Sequence, residues 1–260
     1  MNPWRYGQGV LDATRIKREI LIVFALSLGA SGVYALVNLG AALTAGTPLS
    51  NLSAHLNAPR APASRPTLDL IYQLLAIGFA LVPVLLVCYL LWIGGESARG
   101  VLGLDLTQPG RDLTRGVVLA ALIGGSGLGL YLLAFHLGVS LRVVPTTLGP
   151  TWWRIPVLLL SAAENAILEE TLVAGYLVHR LGQLGWRPWS AVAASALLRG
   201  TYHLYQGFGA FVGNAVMGVV FARLYQRWGR TLPMIIAHTL IDSVTFVGYV
   251  LLVGKVSWLP

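Results

Sequence analysis

Charge is scarce in this sequence. Only 11% of its 260 residues are charged, about half the share of a soluble domain. Cysteine is nearly missing too: Cys88 is the only one and lies in an apolar run. That excludes a disulfide framework and a cysteine-based metal site. No basic stretch is interleaved with aromatic residues, so the net charge of +8 does not point to nucleic acid; the basic residues sit at the ends of apolar runs, as the positive-inside pattern requires. No His-Glu-x-x-His occurs, which argues against a zinc metalloprotease of that type. No Gly-x-Gly-Asp occurs, which argues against a presenilin-like aspartyl protease. No internal repeat is visible, which disfavours a transporter built from repeats.

What is present is apolar. The chain is 56% hydrophobic with mean hydropathy +0.71, in runs of about twenty residues or more, long enough to cross a bilayer. The expected fold is an all-α, polytopic membrane helical bundle with about seven transmembrane helices. The spans fall at about 20–45, 68–94, 116–139, 153–181, 188–206, 208–227 and 231–253. The first is too long for a signal-peptide core and reads as a retained anchor. Pro83 is a candidate kink. The loop at 46–66 is rich in Pro and Ser, and the polar connection at 96–115 reads as interfacial. The chain divides into N-terminal helices with their loops (1–151) and a four-helix core (152–253).

Lys and Arg set the expected orientation. With the N-terminus inside, twelve fall in inner segments: Arg5, Arg15, Lys17, Arg18, Arg99, Arg111, Arg115, Arg180, Arg187, Arg223, Arg227 and Arg230. Five fall outside: Arg60, Arg65, Arg142, Arg154 and Lys255. The expected localisation is the cell membrane, multi-pass.

Polar residues within spans are expensive there and are functional candidates by default. The last four spans hold most of them: Glu164, Asn165, Glu169 and Glu170, then Arg199, Tyr202 and His203, then Asn214, then His238 and Asp242. Spans one to three offer mainly Asn38, Gln73 and His136. At 1.5 Å per residue, Glu170, His203, Arg199, Asp242 and Asn214 come out at roughly 16–22 Å from the inner face, and His238 at roughly 10 Å. Four helices thus place polar groups in one middle layer. His238 and Asp242 are i, i+4 and share a face, as do Arg199 and His203. Glu169 and Glu170 are about 100° apart on a helix, so one can face a cavity while the other pairs with a neighbouring helix.

This set suits hydrolysis. A buried carboxylate can act as general base, a histidine can orient water, and a second histidine can stabilise an oxyanion. Two carboxylates and two histidines would equally suit a divalent metal.

The order and spacing of these residues resemble the CAAX prenyl endopeptidase and bacteriocin-processing (CPBP, Abi-type) intramembrane proteases. Glu169-Glu170, His203 and His238-Thr239-Leu240-Ile241-Asp242 carry the resemblance, over about 152–250; the stretch from Arg199 to Gly207, followed by Gly213-Asn214, looks like the bacterial branch. The resemblance implies a glutamic intramembrane endopeptidase without metal or other cofactor. Glu169 would be the base, Glu170 its support, and His203 would hold the water. His238 and Asp242 would stabilise the oxyanion, with Arg199, Tyr202 and Asn214 as cavity or supporting residues. The implied partners are the bilayer and a peptide or membrane-protein substrate. Two positions depart from the pattern: Ala174 stands where the family often has Arg, and Arg199 where it often has Phe. Arg199 is placed to supply the missing guanidinium from the next helix.

Competing readings exist for the same residues. The glutamates would also serve an interhelical network, a proton-coupled transporter, or a non-catalytic scaffold acting as a bacteriocin immunity or membrane-partner protein. Asn214 reads as an interhelical hydrogen bond. Glu164 reads as solvated or structural, and His136 and His179 as interfacial. Gly29-Ala30-Ser31-Gly32 and Gly124-Gly125-Ser126-Gly127 match the rhomboid Gly-x-Ser-Gly pattern, but small residues recur in membrane helices because they allow close packing.

Overall fold

The computed structural model describes residues 12–256; Arg5, one of the basic residues counted for orientation, lies outside them. The chain is a helical bundle, as its apolar runs imply. Its elements are α1 (Ala13–Ala25), α2 (Leu28–Thr44), β1 (Ser53–Asn57), α3 (Pro66–Ala80), α4 (Val82–Ile93), α5 (Ala98–Leu102), α6 (Pro109–His136), β2 (Arg142–Thr146) and α7 (Arg154–Glu169). A π-helical segment (Glu170–Leu177) continues α7 into α8 (Val178–Gln183). Then follow α9 (Pro188–Tyr202), α10 (Phe208–Trp228) and α11 (Leu232–Leu252). Prolines open α3, α6 and α9, where a missing N–H costs nothing.

The last four helical runs lie where the sequence places them. The first is bent: α1 and α2 meet at 53°. The second breaks at Leu81, two residues before Pro83, whose ring cannot donate to the preceding turn. Among the described residues, four helices are long and apolar enough to cross a membrane: Pro66–Ile93, Pro109–His136, Phe208–Trp228 and Leu232–Leu252. Counted as one span, the bent α1–α2 pair makes five. The expected seven spans counted two more. One, the run from α7 to α8, is loaded with Glu164, Glu169, Glu170 and Arg180; the other, α9, has 15 residues and reaches only about 22 Å.

The two polar loops hold structure the sequence reading missed. β1 and β2 pair in parallel, Ala54 opposite Val143 and Asn57 opposite Thr146. Asn57 Nδ2 donates to the Pro145 carbonyl at 2.9 Å, and Gln73 Nε2 donates to the Ala58 carbonyl at 3.0 Å. The strand pair is thereby fastened to α3. The 96–115 connection is not a simple interfacial strap either, because Leu102 of α5 is fully buried against the π segment.

That π segment is the centre of the core. All eight of its residues are buried, among Leu91, Leu102, Val192, Phe221 and Met234. Ser195 Oγ of α9 donates to the Val173 carbonyl at 2.9 Å. Gly175 lets α5 come close: a Cβ there would lie 2.7 Å from Leu102 and 2.9 Å from Thr231.

The end of the bundle carrying α8 is tied by ion pairs. Arg180, wholly buried, reaches Glu19 of α1 at 2.9 Å and Glu96 at 2.8 Å. His179 Nε2 lies 2.7 Å from Glu96 Oε1. His179 is therefore buried in a polar network, whereas His136 is exposed. Burial pushes the Glu96 carboxyl up, but the hydrogen bond from His179 and the charge of Arg180 outweigh it and hold Glu96 below the ordinary glutamate value.

Candidate active site

The site begins on one face of α7. Ser161, Glu164, Asn165 and Glu169 fall at i, i+3, i+4 and i+8, and all four line a cavity of about 1370 Å³. The cavity runs between α6, α7, α10 and α11, with the β1–β2 pair at one end. Its walls are mostly apolar. Tyr202, His203, Asn214, His238 and Asp242 also line it.

Glu169 and Glu170 divide as adjacent helical positions must. Glu169 faces the cavity and Glu170 does not. The division falls where the α-helix gives way to the π segment, a distortion frequent at functional sites. Glu169 Oε2 accepts a hydrogen bond from the Tyr202 hydroxyl at 2.8 Å. Glu170, fully enclosed, accepts from Arg199 Nη2 at 2.6 Å and has His238 Nδ1 at 2.7 Å, both on Oε1. Arg199 is also fully enclosed; its Nη1 lies 3.7 Å from Glu169 Oε2 and its guanidinium 5.5 Å from the Phe221 ring centre. Gly218 makes room for it, since a Cβ there would lie 2.8 Å from Ala196 and 3.3 Å from Arg199 Cδ.

The guanidinium thus comes from α9. Ala174 is 1% exposed and packed in the apolar core, so an arginine there would displace that packing.

His203 caps the C-terminus of α9. Its Nδ1 lies 3.0 Å from the Arg199 carbonyl, one of the carbonyls that a helix end leaves without a partner. With that proton donated, Nε2 remains for the cavity. Gly207, at φ +103°, turns the chain between His203 and α10. His238 Nε2 lies 3.7 Å from Asp242 Oδ2, too long for a hydrogen bond. Asn165 Nδ2 donates to the same oxygen at 3.3 Å.

Most of the residues expected together are together. Asn214 lines the cavity but forms no interhelical hydrogen bond: its Nδ2 donates to the Ala210 carbonyl of its own helix at 3.0 Å. Glu164, expected to be solvated or structural, is half-buried and lines the cavity on the Glu169 face. Asn165 as the partner of Asp242 was missed. The signal was there, because Asn165 lies four residues before Glu169.

Donor atoms of Glu169, Glu170 and His238 lie within 4.8 Å of one another, close enough to hold a divalent ion. The Arg199 guanidinium occupies the same Glu170 oxygen, so a cation placed there would face a fixed positive charge.

Residues 151–244 match the family model described as type II CAAX prenyl endopeptidase Rce1-like. This segment is Rce1-like. The match agrees with the resemblance carried by the motifs and contains every polar residue of the site. No curated protein and no solved structure matches the chain. The four to five apolar helices make this a multi-pass membrane protein, and its segment 151–244 is similar to a family of membrane proteases.

Proposed function

We propose that the chain is an integral-membrane endopeptidase of the cell membrane, N-terminus inside, with residues 152–253 as its catalytic core. The observation that carries this reading is the Glu169 carboxylate, held by Tyr202 at the wall of a large apolar cavity beside His203 and His238. A carboxylate at such a wall is suited to take a proton from water.

In this mechanism the water sits between Glu169 and His203 Nε2. Glu169 takes one proton as the hydroxide oxygen bonds to the scissile carbonyl carbon. The carbonyl oxygen becomes an oxyanion facing His238. With Nδ1 on Glu170, Nε2 of His238 donates only in the imidazolium form, and Glu170 and Asp242 supply the counter-charges. Asp242 as a carboxylate has no proton to donate, so it acts through His238 and is itself held by Asn165. Collapse breaks the C–N bond, and Glu169 passes its proton to the leaving amine. Glu170 touches neither water nor substrate; it fixes Arg199 and His238.

The non-catalytic scaffold is the second reading, favoured by the departures at Ala174 and Arg199. Glu169→Ala at normal membrane insertion separates the two. Processing of a membrane-anchored substrate should stop; processing that continues unchanged removes the peptidase reading.

A further inference from the structure

Away from the cavity, at the opposite end of α6, lies a second hollow of about 570 Å³. Arginine dominates its lining: Arg111 and Arg115 from the first turns of α6, Arg227 from the last turn of α10, and Arg230 from the turn into α11. Gln108, Leu224 and Trp228 complete its lining.

The charges there are not balanced. Arg230 is neutralised, with Nη2 at 2.7 Å from Asp112 and Nη1 at 3.0 Å from Asp105. Arg111, Arg115 and Arg227 pair with no carboxylate among the described residues. Arg111 reaches only Gln108 Oε1, at 3.4 Å. The Arg115 guanidinium lies over the Trp228 ring at 4.1 Å, which holds it in place. Arg111 and Arg115 are i, i+4, so like charges share one face. The α6 N-terminus adds backbone N–H groups without a side-chain cap, and these favour an anion.

Depth narrows the ligand. The 28 residues of α6 run about 42 Å, about 12 Å more than the hydrocarbon core. Its arginine-bearing first turns therefore stand at headgroup level, beside the C-terminal end of α10. Trp186 and Trp189 are exposed nearby in sequence to α9's start, as aromatic residues at a membrane interface are.

We propose that this hollow binds the phosphate of an anionic lipid headgroup, clamped by Arg111, Arg115 and Arg227 between α6 and α10. Free phosphate offers the same chemistry; the lipid is favoured because the hollow lies at headgroup depth, where the bilayer supplies the anion. The proposal is independent of the peptidase reading.

The test uses full-length protein in detergent micelles, with spin-labelled phosphatidylglycerol as probe and phosphatidylcholine as the neutral reference. The variant is Arg111→Gln with Arg227→Gln, both exposed and neither in the core. A matched control, Arg99→Gln with Arg187→Gln, removes two exposed charges outside the hollow. Wild type and control should prefer phosphatidylglycerol, and the hollow variant should lose about thirtyfold in affinity. Soluble glycerol 3-phosphate should not compete at equal concentration. Unchanged affinity in the hollow variant, or an equal loss in the control, would overturn the site. Full competition by glycerol 3-phosphate would overturn the lipid as its occupant.

Discussion

Arg199 Nη2 and Glu170 Oε1 are 2.6 Å apart, and both side chains are wholly enclosed. Removing one member of such a pair strands the other without water. Arg199→Met alone should therefore cost about 3–5 kcal/mol of stability and abolish cleavage. Arg199→Met with Glu170→Gln should recover much of that stability, because no net charge is left buried, while cleavage stays absent. Thermal unfolding of these two proteins and of Glu170→Gln alone, with wild type as the fourth corner of the cycle, measures this coupling. Additive losses would mean that the pair is not coupled.

The Tyr202 hydroxyl gives Glu169 its hydrogen bond, and in the proposed mechanism it does not enter the reaction. A hydrogen bond to a charged group contributes about 1.5–3 kcal/mol. Tyr202→Phe should therefore lower kcat by about ten- to a hundredfold, with the fold and KM little changed. A KM effect with unchanged kcat would place Tyr202 in substrate binding instead.

The polar layer was legible because its members obey helical spacing: His238 with Asp242, Arg199 with His203, and Glu169 against Glu170. Arg199 could be matched to the empty position at Ala174 for the same reason. The π segment was not legible, since nothing in Thr171-Leu172-Val173-Ala174-Gly175 departs from an ordinary apolar helix. The β1–β2 pair was missed because its pairing joins Ala54 to Val143 across four helices. The expected seven spans exceed the four or five that length and hydropathy alone support, because α9 is short and the α7–α8 run is charged. The polar network around His179 was not legible because its partner, Glu96, is 83 residues away.

Gly175 marks where α5 and the start of α11 press on the π segment. Gly175→Ala would drive a methyl into Leu102 and Thr231, so a loss of about 1–3 kcal/mol is expected. Unchanged thermal stability would mean that this contact relaxes freely.

Glu96 ties its connection to α8 through His179 and Arg180. Its folded-state value lies below the ordinary glutamate value, so its contribution is complete above the unfolded value of about 4.3. It is lost as pH falls through the lower, folded value. The thermal midpoint of wild type should therefore fall more steeply on acidification than that of Glu96→Gln, which should be less stable at neutral pH. Parallel pH curves would remove Glu96 from the acid response.

Cleavage rate of a membrane-anchored peptide by reconstituted Glu169→Gln protein tests the central claim most directly. The substitution keeps the shape of the side chain and its bond from Tyr202 while removing the base. The account predicts a fall of about 10²–10⁴-fold against wild type, with unfolding temperature preserved. Cleavage at the wild-type rate would contradict it.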